Sequence, residues 1–222
     1  RAMLDADVKR FIFSSSAAVY GTPEEVPISE DSRLHPESPY GKTKYFIEEV
    51  LRDLDISDQF KSVSLRYFNA AGADFSGQMG EGHVPETHLI PLVIRAVLDP
   101  EYTITIFGTD YDTEDGTCVR DYIHVNDLAM AHILALENLM KTPETRVYNL
   151  GNGLGFSVKE VIDSVKRVTG KDLSVKEGER RPGDPAILVA SASRAREELG
   201  WDPQYPEIDE IVRSAWNWES QQ

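Results

Sequence analysis

What this chain has little of sets its first limits. It has one cysteine, Cys118, which excludes an internal disulfide framework and fits a reducing cytoplasm. No apolar run approaches the roughly 20 residues of a membrane span. The opening residues, Arg1 to Asp7, lack the apolar core of a signal peptide. Basic residues are scarce: 23 Lys and Arg stand against 38 Asp and Glu, a net charge of −15. Nucleic acid and anionic membranes need basic patches, so neither is an expected partner. An anionic small ligand held by a few placed arginines stays compatible. The five histidines (His35, His83, His88, His124 and His132) and Cys118 show no metal-ligand spacing, so no metal is expected. What is present, 222 residues with 41% hydrophobic and 27% charged content, suits an ordinary globular protein. It is enough for one substantial core, or for one and a half domains sharing an interface.

One stretch organises the rest: Ser38-Pro39-Tyr40-Gly41-Lys42-Thr43-Lys44, read with Ser14-Ser15-Ser16 upstream. Ser38 is a good N-cap and Pro39 suits the first helical position, where its missing N–H is unpaired anyway. Tyr40 and Lys44 then share one helix face. An ammonium beside a tyrosine favours the phenolate, which can act as a general base near neutral pH. The plain alternative is an amphipathic helix with a packed tyrosine and a solvated lysine.

Taken in order, Arg10-Phe11-Ile12-Phe13 predicts a buried strand of a parallel sheet, running into Ser14-Ser15-Ser16. Ligands of open α/β sheets bind beyond the carboxyl ends of strands; the serines could equally cap the strand and turn. A proline-rich loop precedes the helix from Pro39, whose Ile47, Val50, Leu51 and Leu54 form an apolar stripe. A second strand over Ser62 to Phe68 implies a right-handed parallel crossover. Asp74 to His88 is irregular and long enough to be a substrate loop. A helix follows near Leu89 to Leu98, then a strand near Thr103 to Phe107. Asn126 or Asp127 is the expected cap of the next helix. Val147-Tyr148-Asn149-Leu150 is a third short strand. Ser157 with Glu160 forms a capping box. A final helix carries Ile208, Ile211, Val212 and Ala215.

Several of these stretches together resemble the UDP-glucose 4-epimerases of the extended short-chain dehydrogenase/reductase family. They are Phe11 to Gly21; Ser38 to Lys44; Leu65-Arg66-Tyr67-Phe68-Asn69; Asp112 to Val125, which reads Thr-Glu-Asp-Gly-Thr to Arg-Asp-Tyr-Ile-His; and Arg180-Arg181-Pro182-Gly183-Asp184. They occur in family order over nearly the whole chain. The resemblance implies Ser16, Tyr40 and Lys44 as the catalytic set, all three also touching the cofactor, NAD. Tyr40 would take the proton of the sugar 4-hydroxyl while hydride passes to NAD, Ser16 would bond the same oxygen, and Lys44 would bond the nicotinamide ribose and keep Tyr40 ionised. The 4-keto sugar would turn and take the hydride back on its other face. Phe68 matches a residue lining the nicotinamide, and Asn69 one touching the sugar or diphosphate. Arg120 and Arg181 are assigned the diphosphate, which suits forked, charge-assisted guanidinium bonds. Asp184, closing the turn Arg181-Pro182-Gly183-Asp184, would hold the uridine ribose. Leu89 and the segment Thr105-Ile106-Phe107 would line the uracil pocket. His88 stands where many relatives have Asn. Leu188 stands where some carry Tyr beside the sugar, which would leave room for an N-acetyl group.

The implied fold is α/β: the C-terminal part of a Rossmann-type doubly wound parallel sheet with a smaller mixed α/β substrate domain. Residues 1–69 and 119–152 would belong to the dinucleotide-binding part, and 70–118 and 153–222 to the UDP-sugar part. The family's Gly-x-x-Gly-x-x-Gly turn, whose helix N-terminus holds the pyrophosphate, has no counterpart, as if roughly the first hundred residues of an average domain were missing. A cytoplasmic homodimer is expected of the full-length form. Alternatives are another nucleotide-sugar epimerase acting on UDP-N-acetylhexosamines, UDP-glucuronate or UDP-pentoses, or a non-catalytic UDP-sugar-binding module. A dehydratase fits less well, since such relatives have Thr-Asp-Glu where this chain has Ser16-Ala17-Ala18.

Overall fold

The computed structural model describes residues 1–222. A one-turn helix, α1 (Ala2–Asp5), leads into β1 (Arg10–Ser16), a 3-10 turn (Ala17–Val19) and the long helix α2 (Pro39–Asp58). Then come β2 (Lys61–Tyr67), β3 (Asn69–Ala71), α3 (Leu89–Leu98), β4 (Ile104–Phe107), β5 (Val119–Arg120), β6 (Tyr122–His124), α4 (Val125–Lys141) and β7 (Arg146–Leu150). The last third holds β8 (Phe156–Ser157), α5 (Val158–Thr169), β9 (Val175–Gly178), β10 (Ile187–Leu188), α6 (Ser193–Leu199) and α7 (Ile208–Glu219). No helix is long and apolar enough to cross a membrane.

β1, β2 and β7 form a parallel sheet in that order, with the parallel pairing of β1 and β2 that the sequence predicts. Both of its faces are covered, and even the polar residues Ser62, Ser64 and Arg66 of β2 are buried. On one face Phe13 packs against Leu51 and Phe60; on the other Val63 and Leu65 meet Ala131, Ala135 and Leu139 of α4. β1 runs three residues past Phe13, because each serine finds a partner in the folded chain. Ser14 Oγ lies 3.0 Å from His132 Nε2, Ser15 donates to Glu48 Oε1 at 2.5 Å, and Ser16 accepts from the Ala18 N–H at 3.2 Å.

A second core gathers where α3, α5 and α7 meet. Ile90, Val93 and Ile94 pack there with Val161, Val165, Ile211 and Val212, and with Ile104 and Ile106 of β4. The Ser157–Glu160 capping box opens α5 as predicted. The short pairs β3–β6 and β4–β9, and the triple β10–β5–β8, tie this part together.

The start of α4 differs from expectation. Asp127 turns inward, and its carboxylate accepts the N–H groups of Gln204 at 2.8 Å and Tyr205 at 2.9 Å. With that carboxylate engaged, the cap falls to His124, whose Nδ1 accepts the Asn126 N–H at 3.1 Å. His124 is buried, stacks on Phe75 with centroids 4.8 Å apart, and has Nε2 3.0 Å from Ser214 Oγ. Since Nδ1 accepts, Nε2 carries the proton and donates to Ser214, which donates on to the Ile211 carbonyl. Burial holds the His124 pKa below its usual 6.5, outweighing the opposite pull of Asp127 and Asp74. Near that pH the folded chain therefore binds fewer protons than the unfolded one, and stability falls as pH drops through the unfolded value. The urea midpoint is expected to fall between pH 7.5 and pH 6, and to fall less in His124→Asn, whose side chain caps without titrating. An equal fall in the variant would assign the dependence to other groups.

Candidate active site

The helix carrying Tyr40 is fixed by short local devices. Ser38 Oγ accepts the Gly41 N–H at 3.0 Å, and Pro39 opens the first turn. One turn on, Lys44 Nζ sits 5.4 Å from the Tyr40 ring centroid and 5.3 Å from that of Phe13. It donates to the Ser14 carbonyl at 3.0 Å, which ties α2 to the carboxyl end of β1, two residues from Ser16. Gly41 makes the approach possible: a Cβ there would stand 3.0 Å from the Ala18 carbonyl carbon and closer still to its oxygen. The backbone of α2 thus rests on the turn that Ser16 caps. Ser16 uses its oxygen as an acceptor there, leaving its O–H to donate. Tyr40 is 52% exposed. The structure therefore brings the three predicted catalytic residues to one sheet end.

Beneath them lies a network the sequence reading did not single out. Glu48, one turn past Lys44, receives Arg66 Nε at 3.0 Å and Nη2 at 2.5 Å, with both side chains buried. Arg66 Nη1 donates to the Tyr20 hydroxyl at 2.9 Å, and that hydroxyl donates to Asn149 Oδ1 at 2.7 Å. Burial raises the Tyr20 pKa against the lowering pull of Arg66. Burial works against the Arg66 charge, yet the Glu48 bonds hold its pKa above the ordinary value. The signal was available: an arginine inside a strand predicted to be buried needs a buried acid, and Glu48 lies on the Tyr40–Lys44 face.

Beyond β2 opens a cavity of about 1070 Å³, with Asn69 of β3 among its lining residues. Its walls hold eight of the predicted residues: Asn69, His88, Leu89, Thr105, Phe107, Arg120, Arg181 and Asp184. Arg181 lies over the Phe107 ring at 4.1 Å. Arg120 is paired with Asp184 and also donates to the Pro185 carbonyl at 2.7 Å. Both arginines thus line the cavity.

Other predicted residues lie elsewhere. Ile106 is in the core and does not line the cavity, because successive residues of a strand face opposite sides: its neighbours Thr105 and Phe107 turn to the cavity. Phe68 is only 8% exposed, packed with Ala17, Val19 and Tyr20 under the 3-10 turn. Leu188 is half-buried beside that cluster and does not line the cavity. Pro182 and Gly183 form the exposed turn between Arg181 and Asp184, closed by the Asp184 N–H to the Arg181 carbonyl at 3.3 Å. Ser16, Tyr40 and Lys44 stand outside the cavity walls.

Asp121 is a further buried acid that sequence reasoning passed over. It accepts the N–H groups of Asn152 at 2.7 Å and of Gly153 and Ala190 at 3.0 Å each. Burial raises its pKa, and the three N–H bonds oppose that. Its role is to hold the turn after β7 against the strand bearing Arg120.

Residues 1–151 match the NAD dependent epimerase/dehydratase family. A UDP-glucose 4-epimerase of Lactobacillus helveticus is 50% identical over 218 residues, covering 98% of this chain and 66% of that protein. A crystal structure of a UDP-glucose 4-epimerase aligns with a TM-score of 0.96 at 48% identity, covering 99% of this chain and 67% of that one. Another, from Bifidobacterium longum in complex with NAD+ and UDP, aligns with a TM-score of 0.90 at 41% identity, covering 99% of this chain and 66% of that one. The chain spans 66% and 65% of the length of two such curated relatives.

Proposed function

The chain belongs to the NAD dependent epimerase/dehydratase family, and from that premise we propose that it epimerises UDP-hexoses at the sugar 4-position, interconverting UDP-glucose and UDP-galactose through a transient 4-keto sugar. The observation that supports this reading is the Lys44 bond to the Ser14 carbonyl, which ties the helix bearing Tyr40 to the strand end bearing Ser16, in a chain that also holds an arginine-lined cavity. Tyr40 takes the proton from the 4-hydroxyl and later returns it. Ser16, with its O–H free, donates to the same oxygen. NAD, when bound, supplies the acceptor and donor of hydride. The residues present fit it: Lys44 uses one of three N–H donors on Ser14, leaving others for a ribose diol, and Tyr40 is half exposed.

The nucleotide end falls to the cavity. Arg120 and Arg181 take the diphosphate with His88 beside them, and Asn69 meets the sugar or the diphosphate. Phe107, Thr105 and Leu89 take the uracil, and Asp184 the ribose. We assign residues 1–69 and 119–152 to the cofactor side and 70–118 and 153–222 to the UDP-sugar side. The outward face of α2 exposes Phe46 at 69% and Ile56 at 80%, which suits the homodimer expected of the full-length form.

Calorimetry with UDP tests the nucleotide half. UDP is expected to bind, and Arg181→Ala to weaken it by about ten- to a hundred-fold, the worth of a charge-assisted hydrogen bond. UDP affinity equal in the variant and the parent would remove Arg181 from the site.

A further inference from the structure

The loop between β3 and α3 holds one local pattern twice: Glu81-Gly82-His83 and Glu86-Thr87-His88. In each, the glutamate Oε1 accepts the backbone N–H of the histidine two residues on, at 3.0 Å for His83 and 2.6 Å for His88. In each it also meets that histidine's Nδ1, at 2.5 Å and 2.7 Å. The two units face one another. His88 Nδ1 lies 3.6 Å from Glu81 Oε2, and the imidazole centroids are 5.1 Å apart. Four donor atoms, two imidazole nitrogens and two carboxylate oxygens, therefore all fall within 4.8 Å of one another.

The platform under them is firm. Trp218 Nε1 donates to the Glu81 carbonyl at 2.8 Å, and the Gly80 backbone lies against the same indole with no room for a side chain. His88 begins α3, whose Ile90, Val93 and Ile94 are in the core. A third carboxyl, Glu219, lines the same cavity as Glu81, Glu86 and His88.

We propose that Glu81, His83, Glu86 and His88 form a binding site for one divalent cation of the zinc class, at the edge of the large cavity. Mixed imidazole and carboxylate donors suit zinc, cobalt and nickel, whereas magnesium and calcium prefer oxygen alone. Zinc bonds of about 2.0–2.2 Å place tetrahedral donors about 3.4 Å apart, so the widest pair must close by ~1.4 Å. The partly exposed side chains of a surface loop can move that far, and His83 at 66% exposure leaves a side open for water. Counting histidine and cysteine spacing alone could not find the site, because carboxylates supply half of its donors. The site shares His88 with the nucleotide-sugar reading, but it is argued from donor geometry alone and would stand if that reading failed.

Zinc titrated into the purified protein tests this by calorimetry, with the visible absorption of bound cobalt as a report on donor geometry. One equivalent is expected to bind, to resist a tenfold excess of magnesium, and to raise the Tm. His83→Ala is expected to keep the metal-free Tm, since the ring is exposed, and to lose at least about tenfold in zinc affinity together with the Tm rise. Glu81→Gln provides a second variant that keeps side-chain shape and is expected to lose affinity similarly. Absence of stoichiometric binding, or zinc affinity undiminished in His83→Ala, would overturn the proposal.

Discussion

Tyr40→Phe is expected to lower kcat for UDP-galactose epimerisation by about 10²–10⁴-fold, the usual range for a lost general acid–base group. The substitution removes one hydroxyl and keeps the ring that Lys44 approaches at 5.4 Å. Because the side chain is half exposed, the Tm should not move. KM for the UDP-sugar should also hold, since the residues proposed to bind the nucleotide line a cavity whose walls do not include Tyr40. A fall in kcat with steady KM and Tm separates lost proton transfer from lost binding or misfolding. Activity within tenfold of the parent would remove Tyr40 as the base.

The second large effect is on stability. Glu48→Gln keeps the side-chain shape but leaves the Arg66 charge buried beside a neutral amide. Breaking a buried pair from one side typically costs about 3–5 kcal/mol, because the remaining charge is uncompensated. Ser15 and Tyr20 sit in the same network and would lose alignment with it. Replacing both partners with apolar residues removes the stranded charge, so Glu48→Leu with Arg66→Met should be more stable than Glu48→Leu alone. Urea unfolding of the single and double variants, with m compared across them, measures this. A loss below about 1 kcal/mol in Glu48→Gln would mean that the pair contributes no more than an exposed one.

Local chemistry was the most legible part of this sequence. Ser38 before Pro39 placed the start of α2 at its observed residue, and Ser157 with Glu160 did the same for α5, because both devices act within four residues. The Tyr40–Lys44 face followed from helical spacing alone. Tertiary choices were harder to read. His124 caps α4 only because Asp127 is engaged by residues 77 and 78 positions away. Ile106 could have been excluded by alternation, since Thr105 and Phe107 flank it in a four-residue strand. Pairings of two to four residues, such as β5–β8 and β4–β9, are too short to leave a periodic mark. Glu81 and Glu86 gave no sign of converging, because their meeting depends on a loop path fixed by Trp218 from the far end of the chain.

The bare backbone of Gly41 against the Ala18 carbonyl has a consequence for precision. Contacts between side chains can slip from one rotamer to another, but main chain resting on main chain has no such freedom. The gap between Tyr40 and Ser16, the pair proposed to share the sugar 4-hydroxyl, is therefore gauged by the contact of two peptide units. An error of about 1 Å in such a gap can cost on the order of a hundredfold in rate. The smallest residue of the stretch thus sets the tolerance to which the reactive groups around it are assembled.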